Sequence, residues 1–168
     1  MNNINIYLNS FPAKDKGFKG KEYNNNFLAN LRKSYKKNIK IYTSSNFRKD
    51  DLNFQDFLFD FCPKDIFENI NCECQNKKNF TKINNLIKET NTCFASKIAT
   101  SICKSKYIRL RLASELDRYS NKLSTSSTYD LIYRLAVIYA NQIKIRKINY
   151  AIFYETPHSF WDTILCEV

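Results

Sequence analysis

The chain opens with a strand, a loop, a helix and a second strand, and that order restricts the folds open to it. INIYLNS (residues 4–10) alternates apolar and polar side chains and predicts a β-strand. FPAKDKGFKGKEYNNN comes next, with Pro12 and the only two glycines, Gly17 and Gly20, and predicts a loop. Phe27, Leu28, Leu31 and Tyr35 then recur at helical spacing, predicting a helix over about residues 24–37 with Asn38 as its stop. IKIYTSS (residues 39–45) is a second short strand. Strand, helix and strand over this length form a βαβ unit, so the two strands should run parallel.

The middle of the chain is less decided by its pattern. Phe57, Phe59 and Phe61 alternate as in a strand, whereas Phe54, Phe57, Leu58 and Phe61 fit a helix equally well. Pro63 ends whichever forms. Residues 77–90 predict a polar helix with Ile83, Leu86 and Ile87 on one face, and residues 92–104 continue as helix. Ile108, Leu112, Leu116 and Tyr119 form one more helical stripe. SNKLSTSST breaks it and offers hydroxyls to cap the next helix. Tyr129, Ile132, Tyr133, Ala136, Val137, Ala140 and Ile143 predict a long amphipathic helix. INYAIFYE reads as a central strand of a parallel sheet, covered on both faces, and a final helix runs from Ser159 with Phe160, Ile164 and Leu165 inward.

Composition narrows the function classes. At 168 residues and 43% hydrophobic, the chain can bury a core and is not disordered by composition. The net charge of +11 raises a polyanion as partner. The basic residues are scattered, however, with Arg32, Lys33, Lys36 and Lys37 the densest group, and much of the charge is Lys in a chain crowded with Asn and Ile. The sequence pattern therefore disfavours nucleic acid. No signal peptide and no run of ~18 apolar residues is present, so the expected location is the cytoplasm, with the six cysteines reduced. Cys62, Cys72 and Cys74 could together hold a soft metal, but a zinc site needs a fourth ligand and no second pair lies close in sequence. Ordinary thiols and no metal are the expectation.

The only histidine, His158, stands where the last strand turns into the last helix. Pro157 suits a first helical position, with Thr156 as N-cap; alternatively Ser159 caps and Asp162 completes a capping box. Either way His158 falls at the carboxyl edge of the sheet, where ligands of open α/β sheets bind and free backbone N–H groups suit a phosphate or carboxylate. A helix amino terminus also disfavours an imidazolium, which favours neutral His158. A turn of this kind needs a cap in any α/β protein, so the bland alternative is a hydrogen-bonded loop histidine. Cys166 is expected in the core rather than as a nucleophile.

Residues 108–168 resemble the amino-terminal part of bacterial capsular-polysaccharide biosynthesis proteins of glycosyltransferase type. The matching features are Asp117, Arg118 and Tyr119 at a helix end, a long helix, an apolar strand, and then Thr156, Pro157 and His158 before a helix with Trp161 and Asp162. The resemblance implies an α/β fold, a Rossmann-like parallel sheet flanked by helices. It implies one amino-terminal domain over residues 1–168, incomplete on its carboxyl side and lacking a second domain or partner chain. It implies transfer of sugar from a nucleotide-sugar donor to a carbohydrate or lipid-linked acceptor, in a cytoplasmic protein peripheral to the inner membrane. His158 and Glu155 would be its catalytic candidates, with Thr156, Pro157, Ser159 and Arg118 binding substrate. The ligand the resemblance implies is the nucleotide-sugar donor, and the residues of this chain assign no other cofactor. The alternative is a non-catalytic basic α/β module that binds a polyanion, nucleic acid or acidic polysaccharide.

Overall fold

The computed structural model describes residues 4–8, 20–35, 39–44, 56–59, 66, 70, 77–118, 123–153 and 160–168. The chain divides into two compact units, one of Met1–Phe61 with Arg146–Thr156, the other of Cys62–Ile145 with Pro157–Val168. The first carries the sheet and the second is helical. The protein is therefore α/β, with more helix than strand among the described residues.

In the first unit, β1 (Ile4–Leu8), β2 (Ile39–Ser44), β3 (Asp56–Phe59) and β4 (Tyr150–Ile152) form one sheet in the order β3-β2-β1-β4, and α1 (Gly20–Tyr35) joins β1 to β2. Every pairing is parallel, as the opening βαβ pattern requires. Register pairs Ile4 with Ile39 and Ile6 with Ile41, and on the other side Leu8 with Ile152. These positions share one face, because side chains alternate along a strand. Ile6, Leu8, Ile39 and Ile41 form its buried centre, and Phe27 and Leu31 of α1 pack against them with Ile4 and Ile152. Tyr7 and Tyr42 pair on the opposite face and are also buried. Phe153 sets its ring 6.1 Å from that of Tyr7, and Arg146 holds its guanidinium 5.6 Å from the Tyr42 ring.

Three sequence expectations change here. The first helix starts at Gly20, earlier than its apolar stripe, so Gly20 belongs to α1 and not to the loop. The Phe-rich ambiguity resolves as strand, since Phe57 and Phe59 lie in β3. The segment read as a covered central strand is instead the short edge strand β4, with Tyr150 and Ala151 exposed. An apolar run records the hydrophobicity of a strand but not how many neighbours it has.

A polar clasp sets the start of β4. The helix before it ends at Arg146, and Lys147 then takes a left-handed conformation at φ 50°. The Asn5 side-chain amide of β1 donates to the carbonyls of Arg146 (2.6 Å) and Lys147 (3.3 Å). Asn149 answers with two bonds to Asn5: its side-chain oxygen accepts from the Asn5 N–H at 2.9 Å, and its own N–H donates to the Asn5 carbonyl at 2.8 Å. Carbonyls at a helix end lack intrahelical donors, and Asn5 supplies one from a strand remote in sequence.

The second unit contains α2 (Lys77–Thr90), α3 (Cys93–Lys104), α4 (Lys106–Arg118), α5 (Thr125–Arg146, of which Arg146 belongs to the sheet unit) and α6 (Phe160–Glu167). Hydroxyl caps punctuate it. Thr92 accepts from the Ala95 N–H at 3.2 Å to start α3. Ser105 closes α3, donating its N–H to the Ile102 carbonyl, and opens α4 by accepting from the Ile108 N–H at 3.4 Å. Ser124 accepts from the Ser127 N–H at 3.1 Å, so the Ser/Thr run caps α5 as its sequence predicts. Ile108 and Leu112 of α4 and Ile164 and Leu165 of α6 are buried, in line with their stripes.

The amphipathic reading of α5 does not hold. Leu131, Ile132 and every residue from Leu135 to Asn141 are buried, which covers all sides of the helix. Its neighbours reach it from several helices. Arg134 donates to the Asn84 side chain (3.3 Å) and pairs with Asp130 (2.8 Å). The Tyr133 hydroxyl donates to the Asn91 side-chain oxygen at 3.1 Å and lies 3.0 Å from the Ser96 hydroxyl. Arg109 of α4 donates to the Tyr129 hydroxyl at 2.6 Å. Lys144 lies 4.2 Å over the Phe94 ring.

Candidate functional site

Strands β1, β2 and β3 extend the sheet in one direction, and β4 joins β1 on its other side, so the carboxyl ends of β1 and β4 are neighbours. At that end Leu8 and Ile152 stand in register on one face, and the Tyr7 and Phe153 rings meet on the other. Leu8 and Tyr7 are buried and Phe153 is half-buried, so the two strand ends rest on an apolar footing.

The residues singled out from the sequence come after that strand end. Glu155, Thr156, Pro157, His158 and Ser159 lie outside the described residues, between Phe153 and the start of α6 at Phe160. Arg118 is the last residue of α4, in the helical unit. Asp162 is in the first turn of α6, where a carboxylate complements the helix dipole.

The cysteines also take definite positions. Cys103 is buried and points its thiol at the Tyr129 carbonyl, 3.7 Å away. Burial pushes that thiol up from its ordinary pKa, and the Asp130 carboxylate adds to the effect. Cys166 is exposed, which corrects its expected place in the core: it lies on the outward side of α6 beside the buried Ile164 and Leu165. Its thiol is nevertheless raised, first by desolvation of the sulfur and then by the Asp162 and Glu167 carboxylates. A raised thiol is a poor nucleophile, so neither residue is suited to covalent catalysis. Cys62, Cys72 and Cys74 lie outside the described residues. Among the described residues no group of three His, Cys, Asp or Glu side chains could hold a metal ion. Among them also, no helix is long and apolar enough to cross a membrane.

Sequence reading passed over Asn5 and Asn149, and took Lys147 only as one of the scattered basic residues. Nothing in a single sequence marks an asparagine as the cap of a helix remote from it, and the left-handed residue is a lysine where a glycine would have been the visible signal. The sequence matches no protein-family model, and no curated protein and no solved structure is significantly similar to it.

Proposed function

We propose that the chain is a Rossmann-like unit of a glycosyltransferase-type protein of surface-polysaccharide synthesis, binding a nucleotide-sugar at the carboxyl ends of β1 and β4. The observation that carries this reading is the strand order β3-β2-β1-β4 with every pair parallel. That is the order of the first four strands of a doubly wound dinucleotide-type sheet, whose ligands sit at the switch between the first and fourth strands. The only histidine comes after one of those two strands in sequence.

In this reading the backbone N–H groups and hydroxyls of Thr156 and Ser159 take the donor phosphates, and Pro157 fixes the turn. His158 accepts the proton of the acceptor hydroxyl as its oxygen attacks the sugar's anomeric carbon, and the nucleoside diphosphate leaves with the bonding electrons. Glu155 is the second candidate base. The acceptor is a carbohydrate or a lipid-linked sugar.

The test is calorimetric titration of the protein with UDP-, GDP-, TDP- and CMP-sugars. Saturable binding of at least one is expected, weakened tenfold or more in His158→Ala with an unchanged circular dichroism spectrum. Absence of binding by all four, or wild-type affinity in His158→Ala, rejects the assignment.

A further inference from the structure

We propose that the opposite, amino-terminal edge of the sheet is a binding surface for a single-stranded nucleic acid, independent of any site at the carboxyl edge. Three separate stretches of chain bring basic side chains to that edge. Helix α1 leaves the carboxyl end of β1 and runs back, so its last turn, with Arg32 and Lys33, ends just before β2 begins. Lys40 is the second residue of β2 and pairs with Asn5, the second residue of β1. The Asn5 clasp holds Arg146 and Lys147 at the same level. All five basic residues are exposed. Their scatter along the sequence, which weighed against nucleic acid, is removed by the fold.

The chain segments that supply this edge are free of acidic residues over long stretches. Residues 1–14, 23–49 and 131–154, which supply β1, most of α1, β2 and the approach to β4, contain no Asp or Glu. Among the described residues none of the five pairs with a carboxylate. Lys144 is not part of the set, since it belongs to the helical unit, whereas Arg146, 5.6 Å from the Tyr42 ring, belongs to the sheet unit. Lys and Arg side chains that neutralise phosphates release the cations condensed on a nucleic acid, which drives binding and makes it salt-dependent.

Two features point to a single strand in particular. Tyr150, the first residue of β4, is 61% exposed at this edge. An aromatic ring beside a basic track is how unpaired bases are stacked. Asn30 of α1 is exposed as well and offers an amide that can donate to and accept from base edges. An anionic bilayer would need contiguous apolar side chains, and Tyr150 is the one exposed large hydrophobic of the sheet unit among the described residues. Lys147 adds an independent sign. Its φ of 50° is a conformation in which glycine costs less, so a charged residue is kept there against backbone strain.

The experiment is fluorescence anisotropy of the full chain with a labelled oligouridylate, its duplex with oligoadenylate, phosphatidylserine vesicles and heparin, over a range of salt. Oligouridylate is expected to bind most tightly, with affinity falling steeply as salt rises. The combined variant Arg32→Gln, Lys33→Gln, Arg146→Gln, Lys147→Gln should lose at least tenfold in affinity, and its log–log salt slope should shrink by about 0.7 for each phosphate contact removed. Tyr150→Ser should weaken the single strand more than the duplex. Lys147→Gly should melt at a higher temperature than the wild type yet bind less tightly, a pairing that a purely structural role does not give. Wild-type affinity in the combined variant overturns the proposal. So does tighter binding to vesicles or heparin than to oligouridylate, or equal effects of Tyr150→Ser on single strand and duplex.

Discussion

Asn5 shows how much one polar side chain can do from the middle of a β-strand. Its amide serves two carbonyls where α5 ends and its backbone meets Asn149 twice, so β1, the helix end and the start of β4 share one set of bonds. Asn5→Ala leaves those carbonyls without their donor and should destabilise the protein by about 0.5–1.5 kcal/mol in urea denaturation. A loss below roughly 0.5 kcal/mol, the size of an ordinary surface change, would mean water replaces the amide. Cys103 makes a different prediction. Its folded-state pKa is raised by burial and then by Asp130, so folding favours the protonated thiol. The stabilisation is fully present below the unfolded thiol pKa, about 8.5, and is lost as pH rises through the folded value. Stability should therefore decline above that pH, and Cys103→Ala should flatten the decline while lowering stability throughout. An unchanged alkaline slope in Cys103→Ala would assign the effect to other groups.

Among the elements, those formed locally were legible in the sequence and those defined by distant neighbours were not. Strands β1 and β2 and helix α1 arise from alternation, helical spacing and loop residues within a short stretch. Ser124 was readable as a cap because a hydroxyl before an apolar run needs no remote partner, whereas Thr92, read as part of its helix, is in fact its cap. Helix α5 misled because its most apolar stripe, through Ile132, Ala136 and Ala140, is only part of what it buries. Leu135, Ile138 and Tyr139 are buried too. Ile138 is fully buried, so Ile138→Ala should cost about 2–5 kcal/mol by urea denaturation, as a cavity on any side of α5 has no solvent to relax into. A cost near that of an exposed site, as at Ile145, would show that α5 is not enclosed. Strand β4 misled for the converse reason, since hydrophobicity without neighbours made an edge look central. Residues 155–159, which lie outside the described residues, read in the sequence as a strand-to-helix turn or as a ligand site alike, because cap chemistry and ligand chemistry use the same Thr, Pro and Ser.

For the whole molecule, the described burial predicts a gradient of stability. Backbone amides of α5 between Leu131 and Asn141 should exchange with solvent deuterium most slowly, near the limit set by global unfolding, while Tyr150 to Ile152 of exposed β4 should exchange sooner. Equal protection of the two would contradict the burial difference. The assembly of the sheet has a further consequence for biosynthesis. Strand β1 is flanked by β2, made soon after it, and by β4, which begins at residue 150. At ~5–20 residues per second a ribosome takes on the order of ten seconds to supply that second flank. Through that interval the nascent chain carries an isoleucine-rich strand with one ladder of N–H and C=O groups unanswered, and a chaperone that shields it would decide how much protein survives translation.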